Sequence, residues 1–301
     1  MVVMIQCQKG RNNMRKKLIF LFIIGFTILL TSGCSTDNMD GIDIVATAYP
    51  MEYFATELYQ DHANIKKLYP DDSNIDTYKV TKKLLKDTSE NNLFIYNGLS
   101  DEKDFAKTLL KNNNKIKIID GTYGMVKTNK DTALWLDPSN ILMIAQNIKN
   151  GLIEYITSAK LEEEVKTNYD ELKIKLSSLD AELKLISENS KNKNLVIAND
   201  SLNFLNKYGF ATYSIEENDN LNERRKSDVR YLIENGDIDY IIALENTKDT
   251  EFLTQLKQDY NIEVLYLDNL KNIKEEDRKN EITFIEKFNN NLELIKKETY
   301  E

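Results

Sequence analysis

Oxygen atoms supply most of the side chains in this 301-residue sequence that could do chemistry. Sulfur and imidazole are scarce, with two cysteines, Cys7 and Cys34, and a single histidine, His62. One histidine rules out a multi-histidine zinc site. What remains is a set of carboxylates and amides just beyond short apolar runs: Asp76, Asn97, Asp120, Asn199 with Asp200, Glu216 with Glu217, Glu245 and Asp268. Hard oxygen donors of this kind suit Mn²⁺, Mg²⁺ or Ca²⁺ better than Zn²⁺. Polar residues at strand ends are also ordinary, so the set alone points to a cation only weakly. There is no glycine-rich phosphate loop, nucleophile elbow or cysteine nucleophile, so an enzyme is not expected.

The N-terminus has a different chemistry. Arg11, Arg15, Lys16 and Lys17 precede a 13-residue apolar stretch, residues 18–30, and Ser32 and Gly33 lead into Cys34. Basic, then apolar, then small is the order of a secretory signal. The apolar stretch is short of the roughly 20 residues that span a bilayer. Cleavage before Cys34 and acylation of that cysteine would leave a lipoprotein held on a membrane's outer face, with no thiol left for disulfides or metal. Thr31 follows Leu30 where the usual lipidation signal has its branched residue one place later. Met14 would serve as an alternative start. Residues 1–33 carry five basic side chains (Lys9, Arg11, Arg15, Lys16, Lys17) and no acid, so without them the net charge falls from −9 to about −14. So acidic a body argues against a nucleic-acid partner.

The elements that must position these residues alternate. Strands are expected at 43–47, 64–69, 93–96 and 115–119, then at 194–198, 211–215, 240–244 and 263–267. Helix-period segments fall between them at 53–59, 80–86, 101–110, 228–233 and 250–260. That rhythm means parallel sheets of βαβ units, repeated in two similar lobes. Residues 139–156 form a long helix opened by Asp137 and Pro138. Apolar residues from Leu161 to Ile186 recur at three- and four-residue steps, and residues 159–187 contain no Gly or Pro. The spacing predicts a lobe-joining helix roughly 42 Å long, with a coiled-coil arm as the alternative. Residues 275–301 read as one charged terminal helix. The expected division is signal peptide 1–33, lipid-anchored tether 34–41, N-terminal lobe 42–158, linking helix 159–190 and C-terminal lobe 191–301. Ligands of open parallel sheets bind beyond the carboxyl ends of the strands, here the cleft between the lobes.

Several segments, in order, resemble the zinc/manganese solute-binding lipoproteins of bacterial ABC importers. They are the run Ile44 to Pro50; Leu68, Tyr69 and Pro70 followed by Asp76, Thr77 and Tyr78; Phe94 to Leu99; Trp135, Leu136, Asp137 and Pro138; Asn168 and Tyr169 on to Leu179; and Tyr208 with Gly209, Glu245, then Leu267 with Asp268. The resemblance spans about residues 42–271. It implies a fold of two βα lobes on a long helical backbone. By position, the family's three histidines and one carboxylate fall on Asp76, Ala133, Asn199 and Asp268. The carboxylate is kept and the histidines are absent, and His62 matches none of the positions. Asp76, Asn199 and Asp268, with Glu245 or Asp200, are then the candidate metal ligands. The resemblance implies a monomeric extracytoplasmic receptor that delivers a divalent cation (Mn or Zn) to a permease and its ATPase. The alternative is a relative that has lost its metal and acts as a surface interaction protein or adhesin.

Overall fold

Short aliphatic and β-branched runs bounded by polar turns form eight strands in the computed structural model, which describes residues 39–126 and 134–300. The first four are β1 (Ile42–Ala46), β2 (Ala63–Lys67), β3 (Leu93–Tyr96) and β4 (Lys117–Asp120), in the order β2-β1-β3-β4. The second four are β5 (Asn194–Ile197), β6 (Ala211–Ser214), β7 (Tyr240–Leu244) and β8 (Glu263–Leu267), in the order β6-β5-β7-β8. Every pairing is parallel, with Ile44 opposite Ile65 and Leu93, and Leu244 opposite Leu267. The carboxyl ends of the strands therefore lie on one edge of each sheet, and the two strand orders are the same.

The helices start where the side chains tell them to. They are α1 (Tyr49–Tyr59), α2 (Lys82–Thr88), α3 (Glu102–Asn112), α4 (Pro138–Tyr155), α5 (Ala159–Asn189), α6 (Glu223–Glu234), α7 (Glu251–Tyr260), α8 (Glu275–Lys279) and α9 (Phe284–Tyr300). Thr81, Asp137, Ser158, Asn222 and Thr250 each accept a backbone N–H of the first turn that follows, satisfying a donor the helix cannot. Pro50 and Pro138 fall in first turns, where the missing N–H costs nothing.

The linking helix α5 runs 31 residues, about 46 Å. It buries Leu161, Val165, Tyr169, Leu172, Leu176, Leu179, Leu183 and Ile186 on one face. That face packs against α1, α4 and α9. The packing on several helices excludes the coiled-coil arm. One apolar cluster runs from Ile44 and Leu93 in the first lobe, along α5, to Ile197, Ile242 and Leu267 in the second. Smaller clusters lie on the outer faces, one around Phe94 and Leu109 and another around Val229, Ile241 and Phe252.

The expected single tail helix is broken. Glu281 adopts φ +58°. Thr283 then opens α9 with a reciprocal cap: its N–H donates to Glu286 Oε2 at 2.7 Å, and Glu286 N–H donates to Thr283 Oγ1 at 3.2 Å. The break lets Phe284 enter an aromatic group with Tyr49, Tyr53, Phe54 and Phe288, centroids 5.4–6.4 Å away. A 3₁₀ segment, Asp200–Tyr208, also stands where no helix was expected. No described helix is long and apolar enough to cross a membrane. The expectations for residues 1–33 and Cys34, and Ala133, lie outside the described residues.

Candidate functional site

A cavity of about 610 Å³ opens at the carboxyl ends of the strands. The first lobe supplies the loop after β2, residues 72–76. The second supplies Asn199 after β5, residues 244–248 at the end of β7, and Asp268, Asn269 and residues 271–274 after β8. Asp76, Asn199, Glu245 and Asp268 all line it. Asp200 is not among the lining residues; it is buried and accepts from Asn203 (3.3 Å) and Asn218 (2.8 Å).

Each candidate donor already has a partner. Asp76 takes both carboxylate hydrogen bonds from Lys271 Nζ, at 2.8 and 2.7 Å. Glu245 Oε1 accepts from Lys274 Nζ at 2.8 Å. Asp268 Oδ1 accepts the Leu270 N–H at 2.7 Å, and its Oδ2 faces Lys287 Nζ at 2.5 Å. Lys287 also holds Asp277 at 2.6 Å and is buried. Asn199 Oδ1 accepts from the Leu244 N–H (2.9 Å) and the Thr247 hydroxyl (3.0 Å), fastening the end of β5 to the end of β7. Among the described residues, no group of three or more His, Cys, Asp or Glu side chains is placed to hold a metal ion. The physical reason is local, since the carboxylates turn to ammonium groups and the amide oxygen to the backbone.

The electrostatics agree with that pairing. Hydrogen bonding to Glu245 raises the Lys274 pKa, working against partial burial. Burial alone would lower that of Lys287, but Asp268 and Asp277 overcome it and the net shift is upward. Each shift marks an ammonium that is more firmly held than one in water.

The lobes are stitched along one edge by residues 271–278. Tyr49 N–H donates to the Lys271 carbonyl (3.0 Å) and Asp72 N–H to the Ile273 carbonyl (3.1 Å). Asn272 Nδ2 donates to the carbonyls of Pro70 (2.8 Å) and Ser73 (2.9 Å). Arg278 forks onto Glu52 (2.8 and 3.0 Å) and Asp71 (2.8 and 3.0 Å). Lys207 of the second lobe also pairs with the buried helix cap Asp137.

Sequence reasoning looked for donors and so missed these cations. Their only signal was the run of Lys271, Lys274 and Arg278 directly after Asp268. His62 stands apart, between Asp40 (2.8 Å) and Glu164 (2.9 Å). In the first lobe the expected strand-end residues Asn97 and Asp120 join a second polar group, in which Glu102 was not foreseen. Buried Glu102 accepts from the Tyr69 hydroxyl (3.0 Å) and the Asn97 N–H (2.8 Å). Asp120 there accepts from the N–H groups of Gly98 (3.0 Å) and Thr122 (2.9 Å).

The model of a family described as zinc-uptake complex component A, periplasmic, matches residues 44–298. The comparison with curated proteins gives no match. Among solved structures, the Zn(II)-bound ZnuA-like domain of Streptococcus pneumoniae AdcA is 22% identical, with a TM-score of 0.70, over 87% of this chain and 100% of that one. The metal-dependent lipoprotein YcdH of Bacillus subtilis is 17% identical, with a TM-score of 0.71, over 86% and 99%. The laminin-binding protein Lmb of Streptococcus agalactiae, described as having adhesin and metal-transporting activity, is 16% identical, with a TM-score of 0.68, over 86% and 99%. At these identities the likeness is one of fold. The family match covers most of the chain, which belongs to the zinc-uptake component A family, the solute-binding receptors of ABC-type zinc and manganese import.

Proposed function

We propose that this family member is the lipid-tethered receptor of an ABC importer, taking a divalent cation in the cleft between its lobes and passing it to a permease and its ATPase. The observation that carries the reading is the cavity at the facing strand ends, into which Asp76 comes from one lobe and Asn199, Glu245 and Asp268 from the other. Such a place beyond the carboxyl edges of two parallel sheets is where open α/β folds take their ligands. The donors are carboxylate and amide oxygens, which favour harder ions over tight zinc.

On this reading Asp76, Asn199 and Asp268 are the proposed ligand set, with Glu245 as a further carboxylate in the cleft, while Asp200 stands outside the cavity lining. Cys34 is the proposed acylation site, which would place a monomeric receptor on the outer face of the cell membrane, its signal peptide removed. Its role is binding, not catalysis.

A relative that has lost its metal and acts as a surface interaction protein is the second reading, and the lysine partner on each cleft carboxylate speaks for it. The experiment that separates them uses the chelated mature protein with Mn²⁺, Zn²⁺, Fe²⁺ and Ca²⁺, followed by thermal shift and native mass spectrometry. Stabilisation by one ion, lost in Asp76→Ala and Asp268→Ala, supports the receptor. No response to any ion by either method sinks the cation reading. Metabolic labelling with palmitate, absent from Cys34→Ser, tests the tether.

A further inference from the structure

Three ammonium groups stand on the three carboxylates that a cation in the cleft would need. They come from a single stretch of chain, residues 271–287, and they are not equivalent. The Lys287 side chain is 5% exposed and bridges Asp268 to Asp277. It has no route into water without unpacking α9. The Lys274 side chain is 53% exposed and ion-paired with Glu245. Lys271 is 15% exposed, but its partner Asp76 is 64% exposed, so that pair opens on the solvent side. A long lysine stem can swing its charged end into water at little cost when its pair faces solvent.

We infer that Lys287 permanently neutralises Asp268, while Lys271 and Lys274 are resident counter-ions of Asp76 and Glu245 that an incoming divalent cation must displace. This rests on the proposed reading of the cleft as a cation site and adds the identity of its gatekeepers. Asp76 and Glu245 belong to opposite lobes, so a displaced lysine pair leaves one free carboxylate on each wall for the ion. Asp268, ion-paired with the buried Lys287, brings its oxygens to the site but no net charge. A dication beside three retained ammonium groups would be repelled by each of them. Capture is therefore an exchange of two single charges for one double charge, and it conserves the net charge of the site.

The test is Mn²⁺ titration of the mature protein by calorimetry and native mass spectrometry, in the wild type and in Lys271→Gln/Lys274→Gln. Removing the resident cations should tighten Mn²⁺ binding by at least about tenfold, because no pair is then left to break. Equal or weaker binding by the folded double variant overturns the inference. If the wild type binds and the variant gains nothing, the gatekeepers fall and the receptor reading stands. If only the variant binds, the gatekeepers stand and the native protein is not a cation receptor. Should neither bind, both ideas fall. Circular dichroism confirms the fold, and should the double variant not fold, Lys274→Gln alone, at the most exposed of the three lysines, carries the same comparison.

Discussion

Glu102 and Asp268 are carboxylates set beyond strands of matching four-stranded sheets, one in each lobe, and they are satisfied by opposite means. Around Glu102 the donors are neutral, the Tyr69 hydroxyl and the Asn97 N–H. With no cation beside it, burial pushes its pKa up, and the hydrogen bonds from Asn97, Thr47 and Tyr69 only partly offset that. Around Asp268 the principal donor is the ammonium of Lys287. Neutral donors fix the shape of a turn, and no ion can take their place without undoing it. Ammonium groups fix charge, and charge can be exchanged. Glu102 is thus locked by the turn around it and Asp268 by a buried ammonium, and the exchangeable charges are the solvent-facing pairs at Asp76 and Glu245.

The largest test of that contrast is Lys287→Met. It leaves Asp268 and Asp277 facing each other half-buried, and urea unfolding should show a loss of about 3 kcal/mol. A loss under about 1 kcal/mol would mean that Asp268 does not depend on its ammonium. Next comes the neutral side. A Cβ on Gly98 would lie 2.0 Å from Asp120 Oδ2 and 2.5 Å from its Cγ. Gly98→Ala should therefore cost about 2 kcal/mol of stability, while Mn²⁺ affinity stays as it was. An affinity change would show that the turn around Gly98 and Asp120 acts on the cleft as well as on stability.

A smaller loss is expected from Arg278→Lys, which keeps the charge but gives up the two-pronged contacts with Glu52 and Asp71. About 1–2 kcal/mol should go, read from the thermal midpoint. The smallest effect belongs to His62. Its hydrogen bond to Asp40 raises its pKa above the usual 6.5, with Glu164 adding to the shift. The protonated form is favoured in the folded state, so this stabilisation is complete below the unfolded value and fades as pH rises through the higher folded one. His62→Gln should lower the thermal midpoint more at about pH 5.5 than at about pH 8.5. An equal difference at both would show that the ion pairs do not form.

Much of the scaffold could be read from the sequence because it depends on near neighbours in the chain. Eight β-branched runs and the uninterrupted periodicity from Leu161 to Ile186 announce themselves locally. The break before α9 was equally local, written in Thr283 and Glu286, but the charged run on either side hid it. The cleft's donors were legible as residues just beyond strands. Their partners were not, since Lys271 meets Asp76 across 195 positions. Pairing at that distance is decided by how the chain folds back after β8, and no spacing rule reports it. The same holds for Gly98, whose need to be small comes from Asp120, 22 residues on.

The aromatic group around Phe284 also sets an order of events. Helix α1 begins at Tyr49, yet the side chains that cover its Tyr53 and Phe54 arrive only with Phe284, near the end of the chain. A polypeptide made from its N-terminus holds that surface open until almost the last residue has been added. The aromatic core of the first lobe is therefore complete only once Phe284 is in place.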